Sequence, residues 1–165
     1  MPARNVIPNG PTGLDPATRK HPHARSVAAR WSSWSPQLHC LLRIVAAATF
    51  ILAGTTKLFA FPNGVPPNGG TVPLISQLGI GAIMEVVGGV LLLIGLFTRP
   101  VAFILSGEMA VAYFQFHFPL GFWPTMNGGI PALLYCFFWL YFSASGPGTW
   151  SLDEHLSTIR REKTP

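Results

Sequence analysis

The chain has 165 residues, 49% of them apolar and only 10% charged, with a formal net charge of +5. A soluble domain carries about a quarter charged residues, so this balance excludes an ordinary soluble domain and points to the membrane. The basic residues flank the apolar centre, Arg4, Arg19, Lys20, Arg25 and Arg30 before it and Arg160, Arg161 and Lys163 after it, a pattern that argues for cytoplasmic retention of both ends and against nucleic acid as a partner.

Residues 1–24 are rich in Pro, Gly, Asn and basic residues and bury too little apolar surface to offset ordering entropy. Arg25, Arg30, Trp31 and Trp34 then form a basic, aromatic cluster suited to the headgroup layer. Residues 1–35 therefore read as a disordered basic tail with an interfacial segment. The first 37 residues lack an apolar core, so no cleavable signal peptide is expected.

Ser35-Pro36 supplies a cap and a proline at the first helical position. From there the spacing predicts a four-helix transmembrane bundle over 36–148, with crossings at about 36–60, 74–97, 100–118 and 128–144, each near the length that about 30 Å of hydrocarbon requires. The segment 61–73, with P-N-G, P-P and N-G-G, reads as an uncharged loop. Thr98-Arg99-Pro100 is a tight connection. Pro119 ends the third helix, and the uncharged loop 120–126 offers Phe122 and Trp123 as an aromatic anchor. Asn127-Gly128-Gly129 opens the fourth helix. In the tail, 149–165, Ser151 to Glu154 fits a capping box that begins a short amphipathic surface helix. The fold class is thus an all-α membrane protein with four crossings, multi-pass in a cytoplasmic membrane and with both termini cytoplasmic, since the cation-bearing segments are the two tails and the 98–100 connection.

The chemistry of interest lies in charges inside the apolar runs. A charged side chain at the centre of a spanning helix costs about 2.5–3.5 kcal/mol on insertion scales. Glu85 and Glu108 must therefore be protonated, paired or turned to the bundle interior. In the first helix Arg43, Ala47, Phe50, Gly54 and Lys57 share one face, which is expected to turn inward. In the second, Gly81, Glu85 and Gly89 recur every four residues, a contact face open to close backbone approach. In the third, Glu108 falls on a stripe with Val101, Ile104, Ala112 and Gln115. Depth along the helices, at about 1.5 Å per residue, pairs Arg43 with Glu108. Glu85 either reaches Lys57 through water or a ligand or stands protonated. Tyr135 needs a partner for its hydroxyl and is expected toward the polar interior. His117 lies half a turn from Glu108 and reads as a solvated interfacial residue.

Glu85 and Glu108 are accordingly the candidate proton-exchanging carboxyls, with Arg43, Lys57, Gln115 and Tyr135 as candidate binding residues. Two glutamates and one misdirected histidine match no ligand spacing for a metal. Cys40 and Cys136 stand in different helices without a C-x-x-C motif and read as small buried residues.

The run Glu85-Val86-Val87-Gly88-Gly89 is followed by Leu91 to Arg99 (LLLIGLFTR), Glu108 to Tyr113 (EMAVAY), Asn127-Gly128-Gly129, Leu134 to Phe137 (LYCF) and Gly146 to Asp153 (GPGTWSLD). This ordered set, over about residues 38–154, resembles the DoxX family of small four-helix bacterial membrane proteins. The resemblance implies a prokaryotic cytoplasmic (inner) membrane location and association with respiratory or thiol-linked oxidation, in company with oxidoreductase partner subunits. Many members of that family carry an acidic residue after Asn-Gly-Gly; here Ile130 and Pro131 follow, so no carboxylate is expected there.

Three readings follow. The first is a membrane subunit of an electron-transfer complex that holds a quinone or a small sulfur compound beside Glu85 and Glu108. It has no evident cofactor of its own, quinone being the class it would admit, and electrons pass to or from a partner. The second is a non-catalytic scaffold or assembly factor whose basic tails recruit an enzyme or anionic lipid. The third, less favoured, is a small transporter, which four helices without a clear repeat would form only as a homo-oligomer. Homo-oligomerisation is open in every case, and membrane lipid is a partner throughout.

Overall fold

In a computed structural model of the full chain, residues 31–162 are described. The chain divides into two units, residues 1–35 and 36–165. The expected tail disorder, and Arg25 and Arg30 of the basic cluster, lie outside the described residues. Trp31 and Trp34 of the first unit are exposed, with the Trp34 N–H donating to the Trp31 carbonyl at 3.1 Å.

The second unit is helical, and no strand occurs among the described residues. Its elements are α1 (Ser35–Phe59), α2 (Gln77–Ile94), α3 (Thr98–Ala112), a π-helical turn (Tyr113–His117) that runs into a 3-10 turn (Phe118–Leu120), α4 (Ile130–Ser145) and α5 (Leu152–Glu162). Three spans are long and apolar enough to cross a membrane: Ser35–Phe59, Gln77–Ile94 and Thr98–Leu120. The fourth apolar helix, α4, has 16 residues, about 24 Å of rise, and falls short of that length by itself.

Local chemistry sets the boundaries. Ser76 caps α2 by accepting from Gly79 N–H at 3.0 Å. Gly95 closes α2 in the left-handed region at φ 71°, with its own N–H on the Leu92 carbonyl and that of Leu96 on Leu91, a Schellman ending that needs glycine. The predicted 74–97 shortens to 77–94 because these two caps lie inside it. The helical segment that starts at Thr98 continues to Leu120, but its last two turns are not α-helical. A π-helical turn admits one residue more than the α-helix allows, so every side chain beyond Ala112 is rotated from its α-helical bearing.

The inward face expected of α1 is borne out: Arg43, Ala47 and Phe50 are fully buried, Gly54 is buried and Lys57 is half-buried. So is the role of glycine in close packing. A Cβ placed on Gly54 would come within 2.8 Å of the Ala82 carbonyl oxygen, one on Gly89 within 2.7 Å of Ile51, and one on Gly88 within 2.8 Å of Leu105. Phe50, Leu92, Leu105, Met109, Trp139 and Phe142 form the core. The opposite faces carry exposed Val45, Leu52, Ile80, Val87, Phe103 and Phe137, the arrangement required of helices whose outer solvent is lipid. On α3 the buried face runs through Ala102, Leu105, Ser106 and Met109, whereas Ile104 and Gln115 of the expected stripe are exposed. Glu108 therefore stands at the edge of the packed face.

Candidate functional site

At the loop end of the bundle a cavity of about 1000 Å³ opens between α1, α2, the α3–π segment and α4. Its wall is mostly apolar, including Phe50, Met84, Met109, Phe116 and Ala132, and it is roofed in part by Val65 and Pro66 of the loop after α1. That loop is tied down by Val72 N–H donating to the Lys57 carbonyl at 2.9 Å, which satisfies one of the orphan carbonyls at the C-terminus of α1.

The ionisable groups of the wall come from three helices. Lys57 of α1 donates to and ion-pairs with Oε1 of Glu85 on α2. Glu85 is 2% exposed and Lys57 much more open, so the carboxylate is the deeper member of the pair. Glu108 of α3 lines the same cavity. A Cβ on Gly81, one turn before Glu85, would lie 3.0 Å from Glu108 Oε1, so the missing side chain at 81 is what gives the Glu108 carboxyl its place. Oε2 of both glutamates is buried without a hydrogen-bond partner. Thr98 Oγ1 and Trp139 Nε1, away from the cavity, are likewise buried without a partner, so it is the meeting of two such carboxyl oxygens on one cavity wall that singles out this place.

Tyr135 reaches the cavity from α4, and its hydroxyl donates to Thr49 Oγ1 at 2.8 Å. Its ring stacks on Trp139 and tilts against Phe50, so the aromatic run of α4 serves bundle packing on one side and the cavity on the other. His117 corrects the sequence reading. It lines the cavity and donates from Nδ1 to the Asn127 carbonyl at 3.0 Å. The π-helical turn accounts for the change of bearing, since one extra residue rotates His117 away from its expected position by about 100°. Asn127 is held by its own side chain, which donates to Gly121 O and accepts from Gly129 N–H, both at 2.8 Å. Gln115 does not line the cavity; it accepts from Gln77, which does.

Arg43 is a second correction. It makes no pair with Glu108 and lies at the other end of the bundle. Its guanidinium donates to the carbonyls of Leu92 and Leu93 at the end of α2, to Pro147 at 2.9 Å and to Trp150. Depth along single helices could not reveal this, because the acceptors are main-chain carbonyls, invisible as side-chain types. A fully buried guanidinium with its donors spread over three segments is a clamp. Around it, His39 donates from Nε2 to Gly146 O and accepts from the Tyr141 hydroxyl, both at 3.0 Å. Cys40, as expected, is small, free and buried, with Trp150 N–H donating to its Sγ at 3.4 Å. Asp153 accepts from Phe97 N–H and Thr98 N–H at 2.8 Å each, capping α3, which lacks a cap of its own. Sequence reasoning marked Asp153 only as part of a capping box; Ser151 does accept from Glu154 N–H at 3.2 Å, but the stronger role of the neighbouring carboxylate is across the fold.

A family model described as DoxX matches residues 38–118. A protein of Haemophilus influenzae, described as an uncharacterized protein, is 46% identical over 125 residues, covering 73% of this chain and 91% of the relative. No solved structure matches.

Proposed function

The chain belongs to the DoxX family, and from that premise we propose that it is a membrane subunit associated with electron transfer, holding a quinone-type lipophilic molecule in the loop-end cavity. In this reading the chain crosses the membrane four times, with both termini and Arg99 on the cytoplasmic side and the cavity toward the outer half. Support for that orientation comes from the two connections at the cavity end, 60–76 and 119–129, which carry no Lys, Arg, Asp or Glu.

One observation carries the reading: a largely apolar cavity of about 1000 Å³ brings Lys57, Glu85 and Glu108 from three separate helices to one wall. Ligand cavities of roughly 300–1,000 Å³ with a few convergent polar groups suit small lipophilic molecules. Interconversion of a quinone and its hydroquinone moves two electrons and two protons. Carboxyls at the wall exchange the protons, Lys57 holds the deeper one in place, and a partner protein exchanges the electrons. The test is binding of a decyl-chain quinone analogue to the purified chain in native-lipid nanodiscs. Saturable binding that weakens at least fivefold in Glu108→Gln is expected. Failure of the native protein to bind would sink the proposal.

A scaffold function is favoured by a different observation: α5 presents Leu152, Leu156 and Ile159 exposed beside Arg160 and Arg161. Loss of a co-purifying partner on deletion of residues 1–30, with ligand binding absent throughout, is the result that would select it.

A further inference from the structure

We infer that the tail end of the bundle carries a site for an anionic phospholipid of the surrounding bilayer, formed by α5 against the α2–α3 turn and independent of the loop-end cavity. A groove of about 710 Å³ lies there, lined by Leu96 and Phe97 of the turn and by Leu156, Ile159, Arg160 and Arg161 of α5. The local sequence builds it. Leu152, Leu156 and Ile159 recur at helical spacing and give α5 one apolar face, and the two arginines follow directly after it.

Three hydrogen bonds fix this helix on the turn. Asp153 N–H donates to the Gly95 carbonyl at 3.0 Å, and the Asp153 carboxylate accepts from Phe97 N–H and Thr98 N–H at 2.8 Å each. Asp153 also borders the groove, but both its oxygens are engaged at the N-terminus of α3, where the helix dipole offsets the negative charge. The other charged groups of the lining are the two guanidiniums; Glu154 and Glu162 of α5 do not line it. The groove therefore presents an apolar wall at one side and positive charge at the other.

The occupant follows from what the groove adjoins. Phe97, Leu156 and Ile159 are exposed, and the last turns of α2 and the first turns of α3, which meet at the groove, expose Val90, Ile94, Phe103 and Ile104. Those faces have acyl chains as their solvent. An acyl chain lying on them meets the apolar wall at Leu96 and Phe97, and its headgroup meets Arg160 and Arg161. A guanidinium matches two phosphate oxygens with two parallel N–H groups, and basic residues beside spanning helices favour anionic headgroups. A soluble peptide would satisfy the arginines but would have to displace lipid from the apolar wall, whereas a phospholipid satisfies both sides at once.

The deciding experiment reconstitutes the full chain in nanodiscs of equimolar phosphatidylcholine and phosphatidylglycerol with matched acyl chains, and counts the lipids retained on the protein by native mass spectrometry. Retention of phosphatidylglycerol over phosphatidylcholine by about fivefold or more is expected. Arg160→Gln/Arg161→Gln, at exposed positions, should bring that ratio below about twofold, with thermal unfolding unchanged. Arg25→Gln/Arg30→Gln should leave the ratio as it is. Leu156→Gln/Ile159→Gln keeps both cations and should lower the phosphatidylglycerol retained by about threefold. Equal retention of the two lipids by the native chain overturns the inference. A preference that persists without Arg160 and Arg161, or that falls equally without Arg25 and Arg30, overturns the groove as its site. Unchanged retention in Leu156→Gln/Ile159→Gln overturns the apolar wall as part of it. A protein partner lost with Arg160→Gln/Arg161→Gln, in a chain that shows no lipid preference, gives the surface to that partner instead.

Discussion

The two ends of the bundle use buried charge in opposite ways. At the tail end, Arg43 and Asp153 are spent on main-chain groups: one binds the carbonyls that finish α2 and the Gly-Pro-Gly segment, the other the amides that begin α3. Arg99 repeats the device, donating to the carbonyls of Ser143, Ala144 and Ser145 at the end of α4, where a cation also complements the helix dipole. At the cavity end, Lys57, Glu85 and Glu108 face one another and a void, and two carboxyl oxygens stay unpartnered. Arg43 and Asp153 have their groups engaged with backbone and fix structure, although Thr98 Oγ1 beside them lacks a partner, whereas the open carboxyl oxygens of the cavity wall border space that a ligand could fill.

The sharpest way to break this contrast is to damage the clamp. Arg43→Met strands several buried carbonyls at once and is expected to cost about 3–5 kcal/mol or to prevent folding, since each buried acceptor left without a donor costs about 1–3 kcal/mol. Arg43→Lys should recover little, since a single ammonium cannot reach three segments as a guanidinium does. Thermal unfolding in detergent reads both, and a fully stable Arg43→Met protein would erase the distinction between the two ends.

Next in size is Lys57→Met, which leaves the Glu85 carboxylate buried without its cation. A loss of about 2–4 kcal/mol is expected, most of it restored in Lys57→Met/Glu85→Gln, so that the two changes are strongly non-additive. Additive losses would mean the ion pair is not the unit drawn here.

Two glycines then sharpen the comparison. Gly95→Ala forces a Cβ into the left-handed region and within 2.5 Å of Ser151 Cβ, and should destabilise by about 1–2 kcal/mol or more with no separate effect on ligand affinity. Gly81→Ala meets only the flexible end of Glu108, and should change stability by less than about 1 kcal/mol while weakening ligand binding severalfold. Isothermal titration beside thermal unfolding separates the two, and a Gly81→Ala protein with native affinity would remove Glu108 from the site.

The smallest stability effect belongs to Glu108→Gln. Since its Oε2 makes no hydrogen bond in the fold, a change within about 1 kcal/mol is expected, in contrast with its effect on binding. A large loss of stability would show Glu108 to be structural after all.

Much of the cavity end was legible in the residues. Lys57 and Glu85 each fall on an inward face by period alone, but the sequence led to the expectation that Glu85 reaches Lys57 through water or a ligand or stands protonated, and the direct pair between them is a finding of the structure. The glycine spacing around Glu85 likewise announced a close approach. Three things were hidden. The pairing of Arg43 depended on carbonyls that every residue possesses. The bearing of His117 depended on a π-helical turn, which has no side-chain signature and shifts all later positions. The stripe through Glu108 was drawn one step off because α3 packs on Ala102, Leu105 and Met109, a choice made by the neighbouring helices.

The amino-acid sequence by itself determined that the chain is helical and apolar, where most of its helices begin and end within a few residues, and which ionisable groups lie within them. These follow from local terms: hydropathy, capping chemistry and the periodicity of one helix. Only the tertiary structure decided which charges meet, which are consumed by backbone and which border a void. Those outcomes depend on the rotation and offset of whole helices, and these are set by packing between segments distant in the chain.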